Sequence, residues 1–332
     1  MTRAYLAFTD TGLALARRLA DALPGSVDRC GSGGVSLAGW TALQFAQSDA
    51  LVFVGAVGIA VRAIAPHCRS KASDPAVVVL DECGRFAVPV LSGHLGGAND
   101  LARALAAVCG AVPVITTATD AHGIFAVDEW AKHQNCTVLE AERIKHVSSK
   151  LLAGQSVRFA AEFPVQGTLP AGVDPARTPA EADFALTLSP AGDALHLVPR
   201  IGVLGVGCRR GTSAGTLEEA FAAFCAANRL ALQCITAAAS IDLKADEAGL
   251  LAFCRAHGWP ITFYSAEQLR ALPGPFTPSP FVQSVTGVDN VCERAAVLAS
   301  GGCIRIPKQA GGGVTFALAL CPYAPDWRWQ NG

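Results

Sequence analysis

Apolar residues along this chain follow two alternating rhythms. Short unbroken apolar runs at Tyr5–Phe8, Leu51–Val54, Val77–Leu80 and Val112–Ile115 predict strands, the last three buried on both faces. Helical stripes lie between them. One is Leu15, Leu19 and Leu23 within Gly12–Leu23; another is Ala98, Leu101, Ala102, Leu105 and Val108. A short helix is also expected from the Gly55–Gly58 turn to about Ala65, stopped by Pro66. Strand, helix, strand at this spacing predicts parallel βαβ units, and hence an α/β domain over residues 1–133.

The rhythm fails over residues 134–199, where Pro164, Pro170, Pro175, Pro179, Pro190 and Pro199 alternate with Gly167, Gly172 and Gly192. This stretch is expected to be a smaller middle module and linker. Alternation resumes in a second α/β domain over 200–332, beginning with the strand Ile201–Val206. Thr216-Leu-Glu-Glu219 has the form of a capping box opening a helix with Leu217, Phe221, Phe224 and Cys225 inward. Ser265-Ala-Glu-Gln268 opens a short helix, another runs from about Val288 to Ala299, and Val314–Leu320 is the closing strand. The expected fold class is therefore two three-layer α/β domains with mainly parallel sheets, joined by a smaller middle module.

Composition narrows the function classes. Half of the 332 residues are hydrophobic (51%), 16% are charged, and the formal net charge is −1. That balance argues against a nucleic acid or membrane partner, which would call for a strong basic field. No signal peptide is evident, and the longest apolar run, Ala50–Ala65, contains Arg62 and several glycines, too short and polar to span a bilayer. A cytoplasmic protein is expected. Twelve cysteines include no C-x-x-C pair, which suggests free thiols and no protein-held metal. Six lysines stand against twenty arginines, so carboxylate recognition would rest mostly on guanidinium.

Several polar islands interrupt the apolar pattern. Gly55 and Gly58 form a turn after a strand, followed by Arg62 and Lys71; an anion site and a plain tight turn both fit. In Leu91-Ser-Gly-His-Leu-Gly-Gly-Ala-Asn99, His94 has the pKa range of a general base, and Gly96 and Gly97 offer amides to an oxyanion. A loop histidine without chemistry also fits, and Asn99 is a good helix N-cap. Thr116, Thr117 and Asp120 end another strand and suit hydrogen bonding to a polar substrate or helix capping. Parallel topology would bring these three segments to one sheet edge. In the second half, Gly205-Val-Gly-Cys-Arg-Arg-Gly211 departs from a dinucleotide fingerprint by one position, and Arg209 and Arg210 suit a carboxylate-rich ligand. Lys244, Glu293 and Lys308 are further charged positions.

Taken together these stretches resemble the cobalt-precorrin-5A hydrolase (CbiG) family of anaerobic cobalamin biosynthesis, over about residues 50–320. The carrying segments are Val54–Arg62, Ser70–Val79, Leu91–Asn99, Pro113–Asp120, Gly205–Thr212, Ser240–Lys244 and Thr286–Glu293. The resemblance implies a C-terminal domain similar to CobE. It also implies an activity: opening of the ring A δ-lactone of cobalt-precorrin-5A and release of a two-carbon unit as acetaldehyde, giving cobalt-precorrin-5B. No cofactor is implied, since the cobalt belongs to the substrate. Neighbouring cobalamin-pathway enzymes are candidate partners, and a non-catalytic tetrapyrrole carrier is the alternative. On this reading His94, Asn99 and Asp120 are the candidate catalytic residues. Gly55, Gly58, Arg62, Lys71, Gly96, Gly97, Thr116, Thr117, Arg209, Arg210, Lys244, Glu293 and Lys308 are the candidate substrate contacts.

Overall fold

The computed structural model describes residues 1–31, 33–70 and 73–328, and the chain forms two compact units. The first contains residues 1–133 and 144–155. Its elements are β1 (Arg3–Ala7), α1 (Asp10–Ala22), β2 (Ser26–Arg29), α2 (Leu37–Gln47), β3 (Ala50–Val54), α3 (Val57–Ile64), β4 (Ala76–Leu80), β5 (Phe86–Leu91), α4 (Ala98–Cys109), β6 (Val112–Pro113), α5 (Ala118–His122), α6 (Val127–His133) and α7 (Ile144–Leu152). The strands form one sheet in the order β2-β1-β3-β4-β5-β6.

Why the central strands carry no alternation is visible in their packing. Tyr5, Val52, Val54, Val78 and Leu80 face Leu15 and Leu19 of α1 and Leu101 and Leu105 of α4. Their neighbours Leu6, Leu51, Phe53, Val77 and Val79 join Trp40 of α2 and Ala60 and Ile64 of α3 in a second cluster. Both sheet faces are thus covered, so every residue of β3 and β4 is buried.

One strand runs against expectation. β1 to β4 are parallel, but β5 pairs antiparallel with β4, Leu91 opposite Val77 and Ala87 opposite Leu80. β6 then pairs parallel with β5. The loops after β5 and β6 therefore emerge at the amino-terminal edge of β1, β3 and β4, whereas Gly55 leaves β3 at the other edge. The expected grouping of all three segments is overturned by this single reversal. The run Val112–Ile115 also differs: only Val112–Pro113 pairs, and both residues are exposed at the sheet edge.

The second unit contains residues 134–143 and 156–327. Its first sheet, in the order β7-β11-β10-β8-β9, is built from β7 (Cys136–Val138), β8 (Val157–Ala161), β9 (Val173–Pro175), β10 (Phe184–Leu186) and β11 (Leu195–Pro199). The remaining elements are β12 (Gly202–Cys208), α8 (Ala214–Asn228), β13 (Ile235–Ile241), α9 (Ala248–Ala256), β14 (Ile261–Tyr264), α10 (Ala266–Ala271), α11 (Pro280–Thr286), α12 (Cys292–Ser300), β15 (Cys303–Gly311) and β16 (Val314–Leu320). They form a sheet ordered β14-β13-β12-β16-β15, with α8 and α9 on one face and α10 and α12 on the other. Leu188 and Val198 join the core beneath α8, so the stretch expected as a separate module shares its packing with the C-terminal sheet.

Helix starts show where local signals compete. Ser213 caps α8 by accepting from the Thr216 amide at 3.1 Å, so the helix begins before the Thr216–Glu219 box. The Ser265–Gln268 capping box opens α10 as expected. α12 begins at Cys292, not Val288, and crosses β12 at close range. A Cβ on Gly205 would lie 1.9 Å from the Cys292 carbonyl oxygen. Gly205 thus serves helix–strand contact, which explains a glycine motif that fits no nucleotide. Gly205→Ala should lower the stability of this unit by about 1–3 kcal/mol, the usual range for overpacking, measured by thermal or urea unfolding.

Candidate active site

The loop joining β5 to α4 opens with Ser92 in the left-handed region at φ 56°, a conformation costing about 1 kcal/mol or more for a residue with a Cβ. Its hydroxyl donates to the Asp74 carbonyl at 2.9 Å. The chain then folds back: the Gly97 amide donates to the His94 carbonyl and the Asn99 amide to the Gly93 carbonyl, each at 2.9 Å. This turn directs the His94 ring toward α5 and α6.

There it lies between two carboxylates. Nε2 is 2.8 Å from Asp120 and Nδ1 is 3.3 Å from Asp128. Asn99, on the first turn of α4, donates to Thr117 and to Asp120, both at 3.2 Å. Thr117 donates to the same Asp120 oxygen. One helical turn beyond Asn99, Arg103 reaches Asp120 at 2.6 Å, Glu129 at 3.3 Å and Asp100 at 3.4 Å. Lys132 holds Asp100 at 2.9 Å. Asn99 and Glu129 are each 1% exposed, and Asn99 Oδ1 and Glu129 Oε2 accept no hydrogen bond among the described residues.

The electrostatics follow from that crowding. Burial alone would lower the His94 pKa, but the bonds and charge of Asp128, Asp120 and Glu129 outweigh it and raise it to about 9. His94 is therefore an imidazolium at neutral pH, with both N–H groups donating. The expected neutral base is corrected to a cation and proton donor. For Asp120, burial would raise the pKa, but Thr117, His94 and Arg103 hold it below the usual range. It too is a poor proton acceptor. Glu129 differs: burial and the Asp120 charge push its carboxyl up to about 7, against the pull of His94 and Arg103.

Other expected residues fall into place less directly. Asn99 is not a cap, since Gly97 occupies that position in left-handed conformation and Asn99 is buried in the cluster. The Gly97 amide is engaged within its own turn, so it offers no oxyanion site. Gly96 packs on Ser92, where a Cβ would approach to 2.3 Å. Thr116 is exposed and outside the cluster. Gly55, Gly58 and exposed Arg62 belong to the opposite sheet edge, and Lys71 lies outside the described residues.

In the second unit the charged positions group at the carboxyl edge of β12 and β13. Lys244 and Arg210 approach Glu247 at 3.2 and 3.6 Å, and Glu247 accepts from the Gly211 amide at 2.9 Å. Arg209 is exposed, its side chain unpaired among the described residues. Glu293 is 2% exposed and accepts from Thr277, Asn290 and the Lys308 amide. It is a strut for the loop before α11. Lys308 Nζ braces the same loop by donating to the Thr277 and Pro278 carbonyls.

Comparison with known proteins now bears on these groups. Two family models match, "Cobalamin synthesis G N-terminal" over residues 39–120 and "Cobalamin synthesis G C-terminus" over 202–319. A cobalt-precorrin-5A hydrolase from Salmonella typhimurium is 36% identical over 342 residues, covering 96% of this chain and 97% of its own. One from Priestia megaterium is 32% identical, covering 84% of this chain and 80% of its own. The chain belongs to the cobalamin synthesis G family. A solved structure of CobE, a protein from the cobalamin biosynthetic pathway, is 29% identical with a TM-score of 0.35, covering 38% of this chain and 94% of that one.

Within this family member, the cluster draws on residues beyond the N-terminal family match. Asp128 and Glu129 were missed in the sequence, as were Asp100, Arg103, Lys132 and His133. A signal existed: Asp128-Glu129 interrupts the apolar run Phe125-Ala-Val and Trp130-Ala131, and all seven residues are buried. Metal ligation has candidate donors in His94, Asp120 and Glu129, and in Asp100, Glu129 and His133, each trio lying within 4.8 Å. Arg103 also contacts two of these donors, Asp120 at 2.6 Å and Glu129 at 3.3 Å.

Both raised pKa values carry the same sign for stability. His94 contributes fully below its ordinary 6.5 and loses that contribution as pH rises through about 9. Glu129 likewise favours the folded state below 4.5 and ceases to do so as pH rises through about 7. NMR titration of the His94 ring should give a midpoint near 9 in the intact protein, moving toward 6.5 in Asp128→Asn. A midpoint near 6.5 in the parent chain would refute the buried imidazolium.

Proposed function

We propose that this chain is a cobalt-precorrin-5A hydrolase, acting in cobalamin biosynthesis on a cobalt-bearing macrocycle. The observation that carries the reading is near-complete coverage, at 36% identity, of a relative bearing that name. The His94 cluster supports it chemically. Opening a lactone with water creates an oxyanion and releases a proton, and loss of the two-carbon unit as acetaldehyde requires further proton transfer. The His94 side chain is 13% exposed, so part of the ring stays accessible from solvent. With its two N–H groups held by Asp120 and Asp128, the imidazolium would favour the developing oxyanion through its charge. Glu129 is the carboxyl that exchanges a proton near neutral pH, and it would take up the proton of the attacking water within the cluster.

On this scheme the cobalt is part of the substrate, and the protein's own residues bind, orient and move protons. The twelve free thiols and the lack, among described residues, of a helix long and apolar enough to cross a membrane support placement in the cytoplasm.

The direct test is incubation of the purified protein with cobalt-precorrin-5A and trapping of the aldehyde. Acetaldehyde and cobalt-precorrin-5B are expected; a carrier protein would release neither. The rate should follow a bell in pH, rising through about 7 as Glu129 ionises and falling through about 9 as His94 loses its proton. Glu129→Gln should remove the acid limb, and Asp128→Asn should move the alkaline limb down. His94→Asn should lower turnover by roughly 10²–10³-fold, the scale for removing one electrostatic stabiliser of an oxyanion.

A further inference from the structure

We propose that the carboxyl edge of the β12–β13–β14 sheet is a docking surface for the macrocycle: an apolar platform of Leu243, Phe281 and Val285 rimmed by Arg209, Arg210, Lys244 and Lys308. The inference rests on the reading that the ligand is a carboxylate-fringed tetrapyrrole, and adds where such a ligand is held.

The platform is a departure from ordinary burial. In α11, Val282 joins the core cluster that contains Ile241 and Tyr264, the last residues of β13 and β14. The helix is therefore anchored over that edge by one side. Its other apolar residues, Phe281 and Val285, share one face at four-residue spacing and are 75% and 63% exposed. Leu243, just past the end of β13, is 52% exposed. Three large apolar side chains at one sheet edge mark a surface that a flat apolar ligand would cover.

The cations are tied to the same edge by contact. Arg210 and Lys244 meet at Glu247. A Cβ on Gly207, near the end of β12, would lie 2.8 Å from Cys292 Sγ, and the next residue, Glu293, accepts from the Lys308 amide. Lys308 in turn binds the two carbonyls directly before α11. A Cβ on Gly313 would lie 3.0 Å from Arg209, which places that arginine against the β15–β16 turn. Asp242 and Asp246 are exposed nearby, with Arg210 4.0 Å from Asp246. The two buried carboxylates, Glu247 and Glu293, are occupied with backbone amides. They fix the loops that carry the cations, and leave Arg209 and the Lys308 ammonium without a carboxylate partner among the described residues. An apolar face with a cationic rim complements a macrocycle fringed by acetates and propionates, where guanidinium forms paired bonds to each carboxylate.

The test uses the full chain and cobyrinic acid, a stable cobalt corrin with free carboxylate side chains and no lactone to hydrolyse. Binding is followed by its visible absorbance. Phe281→Ala with Val285→Ala should weaken Kd by at least about tenfold, and so should Arg209→Ala with Arg210→Ala. These residues are exposed, so unchanged circular dichroism and melting should accompany the loss. Cobinamide, a corrin whose side chains are neutral amides, should bind at least about tenfold more weakly than cobyrinic acid. The proposal is overturned by unchanged Kd in either double variant, by equal affinity for cobinamide, or by no binding of cobyrinic acid. Acetaldehyde release by the parent chain is measured separately, so a hydrolase that fails these binding tests refutes the surface and leaves the activity standing.

Discussion

Packing four carboxylates together, two of them buried, in a chain that is 16% charged is the constraint around which the first unit is arranged. Asp100, Asp120, Asp128 and Glu129 crowd one sheet edge, and ionised groups in such surroundings are unstable without partners. Arg103 answers three of them at once, a task for a planar fork with several donors that a lysine ammonium would perform poorly. His94 answers two by holding its proton, and Lys132 completes Asp100. What remains uncompensated falls on Glu129, whose ionisation is pushed to near neutrality. The group suited to proton exchange at working pH is thus the residue left over after its neighbours have been neutralised.

Much of the fold was legible because buried strands leave an unmistakable trace. β1, β3 and β4 differ by a residue or two from their expected bounds, and the expected α4 stripe is buried at Ala98, Leu101, Ala102 and Leu105, with Val108 half-buried against the same core. β5 was not legible. Pro89 within it weakens a strand reading, and the direction in which a strand runs leaves no mark in an apolar pattern. That one invisible property decided which loops meet. It carried His94 and Asp120 together and left Gly55, Gly58 and Arg62 at the far edge.

The candidate site was legible in part for a similar reason. His94, Asn99 and Asp120 stood out as polar residues in glycine-rich or hydroxyl-rich loops, where chemistry is usually sought. Arg103 and Asp128 sit on helices, where a charge is ordinarily solvated surface, and only burial distinguishes them. The role of His94 could not be read at all, since its proton affinity is fixed by two carboxylates distant in sequence. Likewise Glu293 looked like a ligand contact, yet it spends its hydrogen bonds on Thr277, Asn290 and the Lys308 amide.

The chain leaves the first unit at residue 133, lays down β7 in the second, and returns with α7 at Ile144–Leu152. α7 packs against α6, the helix that carries Asp128 and Glu129. During synthesis the acidic helix α6 is therefore made before its support, and has to wait for α7 before its packing is complete. No single backbone cut divides this polypeptide into its two units. A functional split would have to leave residues 144–155 with the amino-terminal fragment, so gene fission or domain shuffling at the obvious boundary should be selected against.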